Sequence, residues 1–593
     1  MSEHWRPAHN AHTATVTPAA AWWLLTGSLL LHALLIPTPG WELDVSRFGT
    51  WMRIAIEHGV AHVSETVWCN YPPGYLYLLK GTGLLWMTLS GLPLHADGTV
   101  AMRALVKLIP TIADLGGAWV LYQLAAVRRT RAAALVVLAV YAYNPALLFN
   151  SAVWGQADSL VALLMLVAVW AICSERIAVG FGVAAATVLV KLQAVVLLPS
   201  MLLVAWSIGG VRGILAAARG AALVALALLL PFFLAYRMDA FVATIVGASG
   251  LYPKISMNAH NVWWLIGGTR SVDISDAMRV GNGLLTYRSL GTAMLGTATL
   301  LILWRLWRDL YRCSRDPFLA LVEASALEAW AFYLFPTEMH ERYILPALVF
   351  AAAICIWRPR VGWVYGFLSG ATLVSLAGTL NANYPANAQY PILLDRLAAL
   401  LPVDRAETAV LSGLFVSLFV LLLLWTRDRR FRSGAPALVA LAAVLVRGIA
   451  FVPLRQAAPL YEWEPIEQTQ EWGTMNHNST VEGRRLSVSG FIFRHGIGTH
   501  AASKLTYHLN GGFRSFDTAF GVDDEANRGQ MIRFRILTDG YLRFDSGNIS
   551  AAGFPRHVQV PVDGAEFLTL EVLDGGDGIN SDHADWLEPV LLR

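Results

Sequence analysis

Asp44 is the residue of this 593-residue chain with the clearest capacity for chemistry. It follows the first long apolar segment, 21–36, within a few residues and opens a polar loop that ends at Tyr71-Pro72-Pro73-Gly74. A carboxylate just beyond a membrane-length segment lies at the water boundary, where it stays ionised and can accept a proton. Asp44 is therefore a candidate general base. The alternative interpretation is a carboxylate that caps an interfacial helix.

A second group of ionisable residues lies in the run Met339-His340-Glu341-Arg342-Tyr343. Adjacent ionisable side chains at a helix mouth are costly unless they meet a charged ligand. The planar guanidinium of Arg342 matches phosphate oxygens, His340 can donate to the same group, and Glu341 can orient either. The alternative interpretation is a charged rim that extends into water.

Other polar residues near apolar segments could assist a phosphate or a hydroxyl. Arg47 and Arg53 flank Trp51 in the first polar loop and could supply positive charge beside Asp44. Lys191 follows an apolar segment, where an ammonium suits either a lipid phosphate or the membrane interface.

The run Trp154-Gly155-Gln156-Ala157-Asp158 separates two apolar segments. Asp158 either caps the next helix or binds a sugar hydroxyl or a metal. Asp114 lies inside an apolar segment with no local partner, and we expect it to form a structural pair.

The composition indicates a membrane protein. Hydrophobic residues make up 56% of the chain and charged residues only 14%, whereas soluble domains carry about a quarter charged residues. The net charge of +3 is too small to indicate nucleic-acid binding. The 4 cysteines are scattered and predict neither a disulfide framework nor a cysteine zinc site.

Apolar runs of near-membrane length recur to about Phe451, and each span needs about 20 residues. They predict a polytopic α-helical protein with about 13 transmembrane helices and with interfacial helices in the first outer loop. The predicted spans lie near 21–37, 103–126, 132–149, 157–173, 178–190, 194–209, 215–235, 288–307, 318–335, 343–357, 361–380, 408–425 and 434–452. The apolar stretch 71–92 is predicted to lie along the outer surface.

Basic clusters predict the orientation. With the N-terminal tail 1–20 in the cytoplasm, each cluster falls in a cytoplasmic loop, as the positive-inside rule expects. The clusters are Arg128-Arg129-Thr130-Arg131, Arg212 with Arg219, the segment 308–315, Arg358-Pro359-Arg360 and the segment 427–432. The same orientation places the candidate site residues at the outer face. The predicted membrane domain extends over 21–455.

Residues 459–593 are polar and alternate short β-rich stretches with Gly and Asp turns, which predicts an antiparallel β-sandwich. An odd number of spans places this domain outside the cell membrane. The weak candidates for calcium ligands are the clustered residues Asp523, Asp524, Asp574 and Asp577. The alternative interpretation is that they form plain turns. Trp586 is expected in the core.

The membrane part resembles the GT-C superfamily of lipid-phosphate-sugar glycosyltransferases. It is most similar to the dolichyl-phosphate-glucose glucosyltransferases of asparagine-linked glycan assembly, and bacterial mannosyltransferases of the superfamily share much of the pattern. The motifs that carry the resemblance are Asp44 before Trp51-Met52, Tyr71-Pro72-Pro73, Asn261-Val262-Trp263 and Met339-His340-Glu341-Arg342. The first loop departs from the family pattern at Gly49, Thr50 and Asn70, which leaves the donor sugar and the acceptor open.

The resemblance implies an inverting transfer with Asp44 as general base and with His340, Glu341 and Arg342 beside the lipid phosphate. Candidate substrate-binding residues are Trp51, Tyr71, Gln156, Asp158, Asn261 and Trp263.

The C-terminal region is similar to the NPCBM family of carbohydrate-binding modules. The similarity rests on the run 496–501, Tyr507, Val522-Asp523-Asp524 and the segment 577–586. It implies a carbohydrate ligand for the sandwich.

The sequence thus predicts an integral-membrane hexosyltransferase, specific for glucose or mannose. Its donor is a polyprenyl-phosphate monosaccharide, and its acceptor is a hydroxyl of a glycan, lipid-linked glycan or protein at the outer face. The prediction assigns no certain cofactor and leaves a divalent cation open. The alternative is a glycolipid transporter or flippase with a glycan-docking domain, although the sequence lacks the inverted repeats typical of transporters.

Overall fold

The computed structural model describes residues 19–95, 99–247, 250–272, 274–280, 285–312, 316–383, 405–425, 457–489, 491–493, 495–526, 530–550 and 555–592. The chain divides into two compact units, Met1–Val452 and Pro453–Arg593. The first unit is helical and the second is built from β-strands. A helical region followed by a region of β-strands is the predicted order of fold classes.

The longer helices of the first unit follow the apolar segments of the sequence. They are α1 (Ala19–Leu35), α2 (Glu42–Glu57), α3 (Pro73–Ser90), α4 (Val100–Arg128), α5 (Arg131–Ala142), α6 (Asp158–Cys173), α7 (Ile177–Val190), α8 (Leu198–Leu234), α9 (Met238–Gly247), α10 (Val262–Gly267), α11 (Tyr287–Tyr311), α12 (Pro317–Leu334), α13 (Leu345–Trp357), α14 (Gly362–Asn383) and α15 (Arg405–Trp425). Short 3-10 segments, Leu192–Leu197 and Glu341–Ile344, precede α8 and α13.

Within the described ranges, 6 helical segments are long and apolar enough to cross a membrane. They are Val100–Arg128, Arg131–Trp154, Leu192–Leu234, Tyr287–Tyr311, Pro317–Leu334 and Pro359–Leu380. Shorter apolar helices include Ala19–Leu35, Asp158–Cys173, Ile177–Val190, Met238–Gly247 and Leu411–Leu423. The number of about 13 spans stays a prediction.

The structure marks the boundaries of several predicted spans. The predicted spans 194–209 and 215–235 lie on either side of a kink in α8 at Gly210, where φ is 53° and ψ is -133° and two helices meet. Glycine tolerates this left-handed backbone without a side-chain clash. The apolar stretch predicted to lie on the surface forms α3, while the predicted span 434–452 lies outside the described residues.

Several buried ionisable residues of the helical unit occur in pairs. Asp114 on α4 lies 3.2 Å from His32 Nε2 on α1, which confirms the predicted structural pair. Glu323 on α12 likewise binds Arg305 at 2.6 Å and Arg358 at 2.9 Å. Pairing offsets the desolvation of charges that are removed from water.

The second unit is a sandwich of two antiparallel sheets, as predicted. Its strands are β1 (Ala457–Pro459), β2 (Glu467–Gln470), β3 (Asn476–His477), β4 (Ser487–Val488), β5 (Phe491–Ile492), β6 (Gly496–His500), β7 (Ser503–His508), β8 (Ser515–Val522), β9 (Met531–Thr538), β10 (Tyr541–Ser550), β11 (Arg556–Pro561), β12 (Phe567–Asp574) and β13 (His583–Leu592). One sheet has the order β11-β8-β13-β6-β3 with β1 on β13, and the other has β10-β9-β12-β7-β2.

Alternation along the strands forms the sandwich core. On β9, Ile532, Phe534 and Ile536 point inward and are fully buried, while Arg533 and Arg535 point outward. This period of two is the pattern of a strand with one buried face. Trp586 is 0% exposed and belongs to the same core, as predicted.

Candidate active site

Asp44 lies in the first turn of α2. The residue at the start of α2 makes no side-chain capping bond. Instead, Gln156 Nε2 donates to Asp44 Oδ2 at 2.5 Å. Burial raises the pKa of Asp44, while the positive charges of Arg342 and Arg47 oppose this shift. A carboxylate with a raised pKa is a stronger base than an ordinary aspartate.

The backbone around Gln156 is held by Lys107, a residue that the sequence reasoning missed. Lys107 on α4 is 0% exposed, and its Nζ lies within hydrogen-bond distance of four backbone carbonyl oxygens. These belong to Ile36 (3.2 Å), Thr38 (2.7 Å), Ala152 (2.9 Å) and Val153 (2.9 Å). One ammonium thus joins the segment before α2 to the segment before Gln156. An ionisable residue inside an apolar helix was the signal that could have revealed it.

Gly155 allows this arrangement because it has a φ of +89°. A Cβ at this position would lie 3.1 Å from Lys107 Cε and 3.2 Å from Val45 Cγ2. The chain therefore turns tightly beside the buried lysine before it reaches Gln156.

Asp158 holds two cations that come from different parts of the helical unit. Lys191 Nζ, at the end of α7, lies 2.5 Å from Asp158 Oδ1, and Arg342 Nε lies 3.6 Å from Asp158 Oδ2. Arg342 Nη1 also lies 2.8 Å from Glu341 Oε1. Asp158 is fully buried and its Oδ1 accepts a hydrogen bond from Lys191, so its structural role is that of a counter-ion.

Asp44 and the cationic group belong to the same site. Arg342 and Lys191 both act electrostatically on the Asp44 carboxylate. Asp44 and Arg342 are almost 300 positions apart in the sequence. The fold of the helical unit brings them together. A base beside cations can take a proton while an anionic leaving group is stabilised nearby.

His340 is held between two tyrosine rings. Its ring centroid is 5.2 Å from that of Tyr252 and 5.3 Å from that of Tyr343. Burial, together with Arg342 and Lys191, lowers the pKa of His340 well below its usual value. The imidazole is therefore neutral and can donate one hydrogen bond without adding charge.

An aromatic group forms one wall of the site. The rings of Phe48, Trp51, Tyr71 and Tyr75 have centroid separations of 5.3 to 5.8 Å. Trp51 is buried and donates to the Trp68 carbonyl oxygen at 2.7 Å, so it supports the wall from behind. Tyr71 lines an open cleft.

Arg47 and Arg53 differ in their surroundings. The Arg47 guanidinium carbon lies 4.7 Å from the ring centroid of Trp68 and its charge acts on Asp44. Arg53 Nη2 is instead 3.4 Å from the His95 carbonyl oxygen. The structure therefore brings Arg47, rather than Arg53, to the candidate base.

Asn261 and Trp263 support the site from inside the protein. Asn261 Oδ1 accepts hydrogen bonds from the backbone N–H groups of Trp263 (3.1 Å) and Trp264 (3.2 Å), which makes it the cap of α10. Trp263 Nε1 donates to the carbonyl oxygens of Phe335 (2.7 Å) and Pro336 (3.1 Å). Both side chains are buried and position the segment that leads to His340.

The cleft beside these residues has a volume of about 360 Å³. Its polar lining includes Tyr71, Lys191, Tyr252, Arg288, Glu338 and Tyr343, and its apolar lining includes Val195, Ile245, Leu251 and Phe332. The sequence reasoning missed Arg288, which binds Asp276 at 2.8 Å and Glu338 at 3.1 Å. Burial and the charge of Asp276 raise the pKa of Glu338 to about 7.

The calcium candidates of the sandwich accept hydrogen bonds from nearby groups. Asp574 Oδ1 accepts from the backbone N–H groups of residues 576–578, and Asp577 Oδ2 accepts from Met531 N at 3.1 Å. Asp523 accepts from Ser487 N and Glu525 N, and Asp524 accepts from the Ser487 hydroxyl. Among the described residues, the group with metal-ligand spacing is instead Glu482, Glu525 and His583.

Comparison with known proteins identifies the C-terminal unit. A family model described as the NPCBM/NEW2 domain matches residues 456–592, which confirms the predicted resemblance of this unit. A Renibacterium salmoninarum protein described as an endo-alpha-N-acetylgalactosaminidase is 28% identical over 135 residues, or 23% of this chain. The match covers only 9% of that relative's length.

Solved structures resemble both units. The CBM51 of Clostridium perfringens GH95, solved with methyl-galactose, is 32% identical over 23% of this chain and 99% of that chain, with a TM-score of 0.22. The arabinosyltransferase EmbB of Mycobacterium smegmatis is 15% identical over 98% of this chain and 65% of that chain, with a TM-score of 0.31.

We predict that Lys107→Met destabilises the helical unit. It leaves buried carbonyl oxygens without a donor, so the free energy of unfolding should fall by roughly 3 kcal/mol, the scale of hydrogen bonds to a charged group. Thermal unfolding in detergent measures the loss. Lys80→Met on α3 is the control, and a change of similar size in both variants would contradict the role of Lys107.

Proposed function

We propose that this chain is an integral-membrane glycosyltransferase that moves a monosaccharide from a polyprenyl-phosphate donor to an acceptor hydroxyl. The observation that carries the proposal is the juxtaposition of Asp44 with Arg342 and Lys191, beside a cleft that has both charged and apolar walls. The GT-C resemblance of the motifs around these residues supports the same reaction class. We further propose that transfer takes place on the outer face, with a cytoplasmic N-terminus and an extracytoplasmic sandwich.

Asp44 is the proposed general base. It takes the proton of the acceptor hydroxyl while that oxygen forms a bond to the anomeric carbon of the donor sugar. The bond from the anomeric carbon to the phosphate oxygen breaks, and the phosphate leaves with the electron pair. Attack opposite to the departing phosphate inverts the anomeric configuration. Gln156 holds the carboxylate for this task through the 2.5 Å hydrogen bond.

The leaving phosphate would be stabilised by Arg342 and Lys191, with neutral His340 as an additional donor. A guanidinium and an ammonium next to the departing oxygen stabilise the negative charge that develops there. Asp158 and Glu341 keep both cations in place before the donor arrives. Orienting the charges in advance avoids reorganisation during the reaction.

The apolar part of the cleft fits the isoprenoid chain of such a donor. Val195, Ile245, Leu251 and Phe332 line it. A ligand with a phosphate head and a hydrocarbon tail satisfies both parts of this lining.

The NPCBM match supports the proposal that the sandwich binds carbohydrate on the acceptor. A glycolipid carrier would use the same phosphate site but has no need for a general base. Formation of a glycosidic bond by purified protein in detergent separates the two functions.

Asp44→Asn should lower the rate of sugar transfer by about 100-fold to 10,000-fold, because the amide cannot accept the proton. Membranes that carry the variant are assayed with radiolabelled polyprenyl-phosphate sugar. Asp239→Asn replaces an exposed carboxylate of α9 and is the matched control. Undiminished transfer by the Asp44 variant would remove this residue from the role of base.

Arg342→Gln should raise the KM for the lipid donor more than tenfold, since a charge-assisted contact to the phosphate contributes about 1.5–3 kcal/mol. Arg342→Lys keeps the charge but not the planar fork, and an intermediate KM is expected. Arg176→Gln, at an exposed position between α6 and α7, controls for a general loss of positive charge. Equal donor KM values in the wild type and Arg342→Gln would show that the phosphate lies elsewhere.

The pH profile should show an acidic limb that follows Asp44. The base works only when it is unprotonated, so kcat/KM should fall as the pH drops through its raised pKa. Arg47→Gln removes a positive charge that favours the carboxylate, which raises this pKa further and moves the limb to higher pH. A limb that stays in place or moves to lower pH in this variant would contradict the assignment.

A further inference from the structure

We propose that Gln193 recognises the sugar of the lipid donor by hydrogen-bonding two neighbouring hydroxyl groups of the monosaccharide. Gln193 lines the same cleft as Lys191. Its role rests on the proposed function, because it assumes that a phosphate binds to Lys191 and Arg342. It goes beyond that function by assigning a residue to the sugar itself.

The position of Gln193 along the chain keeps it close to the proposed phosphate site. It lies two residues after Lys191, in the 3-10 segment Leu192–Leu197 that joins α7 to α8. Two residues of chain span at most about 7 Å. Lys191 is in turn held by Asp158, whose Oδ1 lies 2.5 Å from Nζ. The side chain of Gln193 therefore begins near an ammonium whose place is fixed by a buried counter-ion.

The amide of Gln193 carries hydrogen-bonding capacity that the protein leaves unused. The residue is only 6% exposed. Both Oε1 and Nε2 are buried, and neither has a hydrogen-bond partner among the described residues. Buried polar groups in folded proteins are nearly always hydrogen-bonded, so an unused amide in the wall of a cleft indicates that a ligand supplies its partners.

Other polar side chains of the cleft differ from Gln193 because they already bind protein groups. Arg288 and Thr337 both donate to the Asp276 carboxylate, at 2.8 Å and 2.7 Å. Thr292 Oγ1 donates to the Arg288 carbonyl oxygen at 2.9 Å. These contacts stabilise the wall of the cleft, whereas the amide of Gln193 stays available to a ligand.

The chemistry of an amide decides which part of the donor it can bind. A carboxamide has an oxygen that accepts and a nitrogen that donates. The oxygens of a phosphate diester only accept, and an isoprenoid chain does neither, so each leaves at least half of the amide unpaired. Adjacent hydroxyls of a pyranose satisfy both halves, since one accepts from Nε2 while the other donates to Oε1.

This contact makes donor affinity depend on the sugar as well as on the phosphate. A buried site that hydrogen-bonds a substrate hydroxyl discriminates strongly against an analogue without it, because the protein group is then left unpaired. The cations at Lys191 and Arg342 cannot make this distinction, since every polyprenyl-phosphate sugar presents the same phosphate to them.

Calorimetry on full-length protein in detergent, without acceptor, tests the assignment. The ligands are polyprenyl phosphate, polyprenyl-phosphate mannose and polyprenyl-phosphate glucose. Gln193→Leu keeps the size of the side chain and should weaken binding of the better-bound sugar donor about tenfold, with binding of polyprenyl phosphate unchanged. The unchanged ligand also shows that the variant is folded at the site. Gln123→Leu removes a half-buried amide of α4 and is the matched control.

Monodeoxy forms of the better donor identify the hydroxyls. Removal of a hydroxyl that meets Gln193 should weaken binding to the wild type about tenfold and should leave binding to Gln193→Leu unaffected, because the contact is already lost. Independent losses from every deoxy form and the variant would overturn the assignment.

Two further results would also overturn the role of Gln193. Equal weakening of polyprenyl phosphate and the sugar donors would show that the amide meets the phosphate or supports the fold. Unchanged binding of both sugar donors by Gln193→Leu would show that the amide meets no ligand. Either result leaves the proposed function intact, whereas failure of the wild type to bind polyprenyl phosphate would reject that function and the role of Gln193 together.

Discussion

The contact on which the candidate site depends is the one that Asp158 makes with Lys191 and Arg342. Two cations buried side by side would repel each other and would lose their hydration, a cost of several kcal/mol for each ion. The carboxylate at the start of α6 offsets both effects, with Nζ at 2.5 Å and Nε at 3.6 Å. It therefore holds the end of α7 and the segment before α13 at one place. Together with Glu341, this counter-ion offsets the burial of the charges that would meet a phosphate.

A comparable contact organises the region of the candidate base. The Lys107 ammonium donates hydrogen bonds to backbone carbonyl groups near helix ends. Such carbonyl groups have no partner within their helix and would otherwise need water. Because those carbonyls belong to the segments that precede α2 and Gln156, the same contact sets the distance between Asp44 and its hydrogen-bond donor. The candidate site residues Asp44, Asp158 and Lys191 thus lie at or near helix ends, whereas Lys107 supports them from inside α4.

The sandwich follows a different principle, since its strand register brings distant residues together. His500 and His583 are separated in sequence and meet because β6 pairs with β13. The core behind them is formed by alternating apolar residues, and the residues at the rim are free to carry chemistry. The two units therefore each combine a rigid scaffold with polar groups at its edge.

The sequence by itself determined the features that depend on local patterns. Apolar runs predicted the helices, alternation predicted the sandwich, an isolated Asp114 predicted a buried pair, and residue type singled out Asp44 and the run 339–343. Tertiary structure alone decided that Asp158 is a counter-ion, that Lys107 binds backbone carbonyls, and that Asn261 and Trp263 are buried supports. The physical reason is that hydrophobic periodicity is a local property, which can be recognised over a few helical turns or one strand. The partner of a buried charge, in contrast, depends on how helices that are distant in the sequence pack against one another.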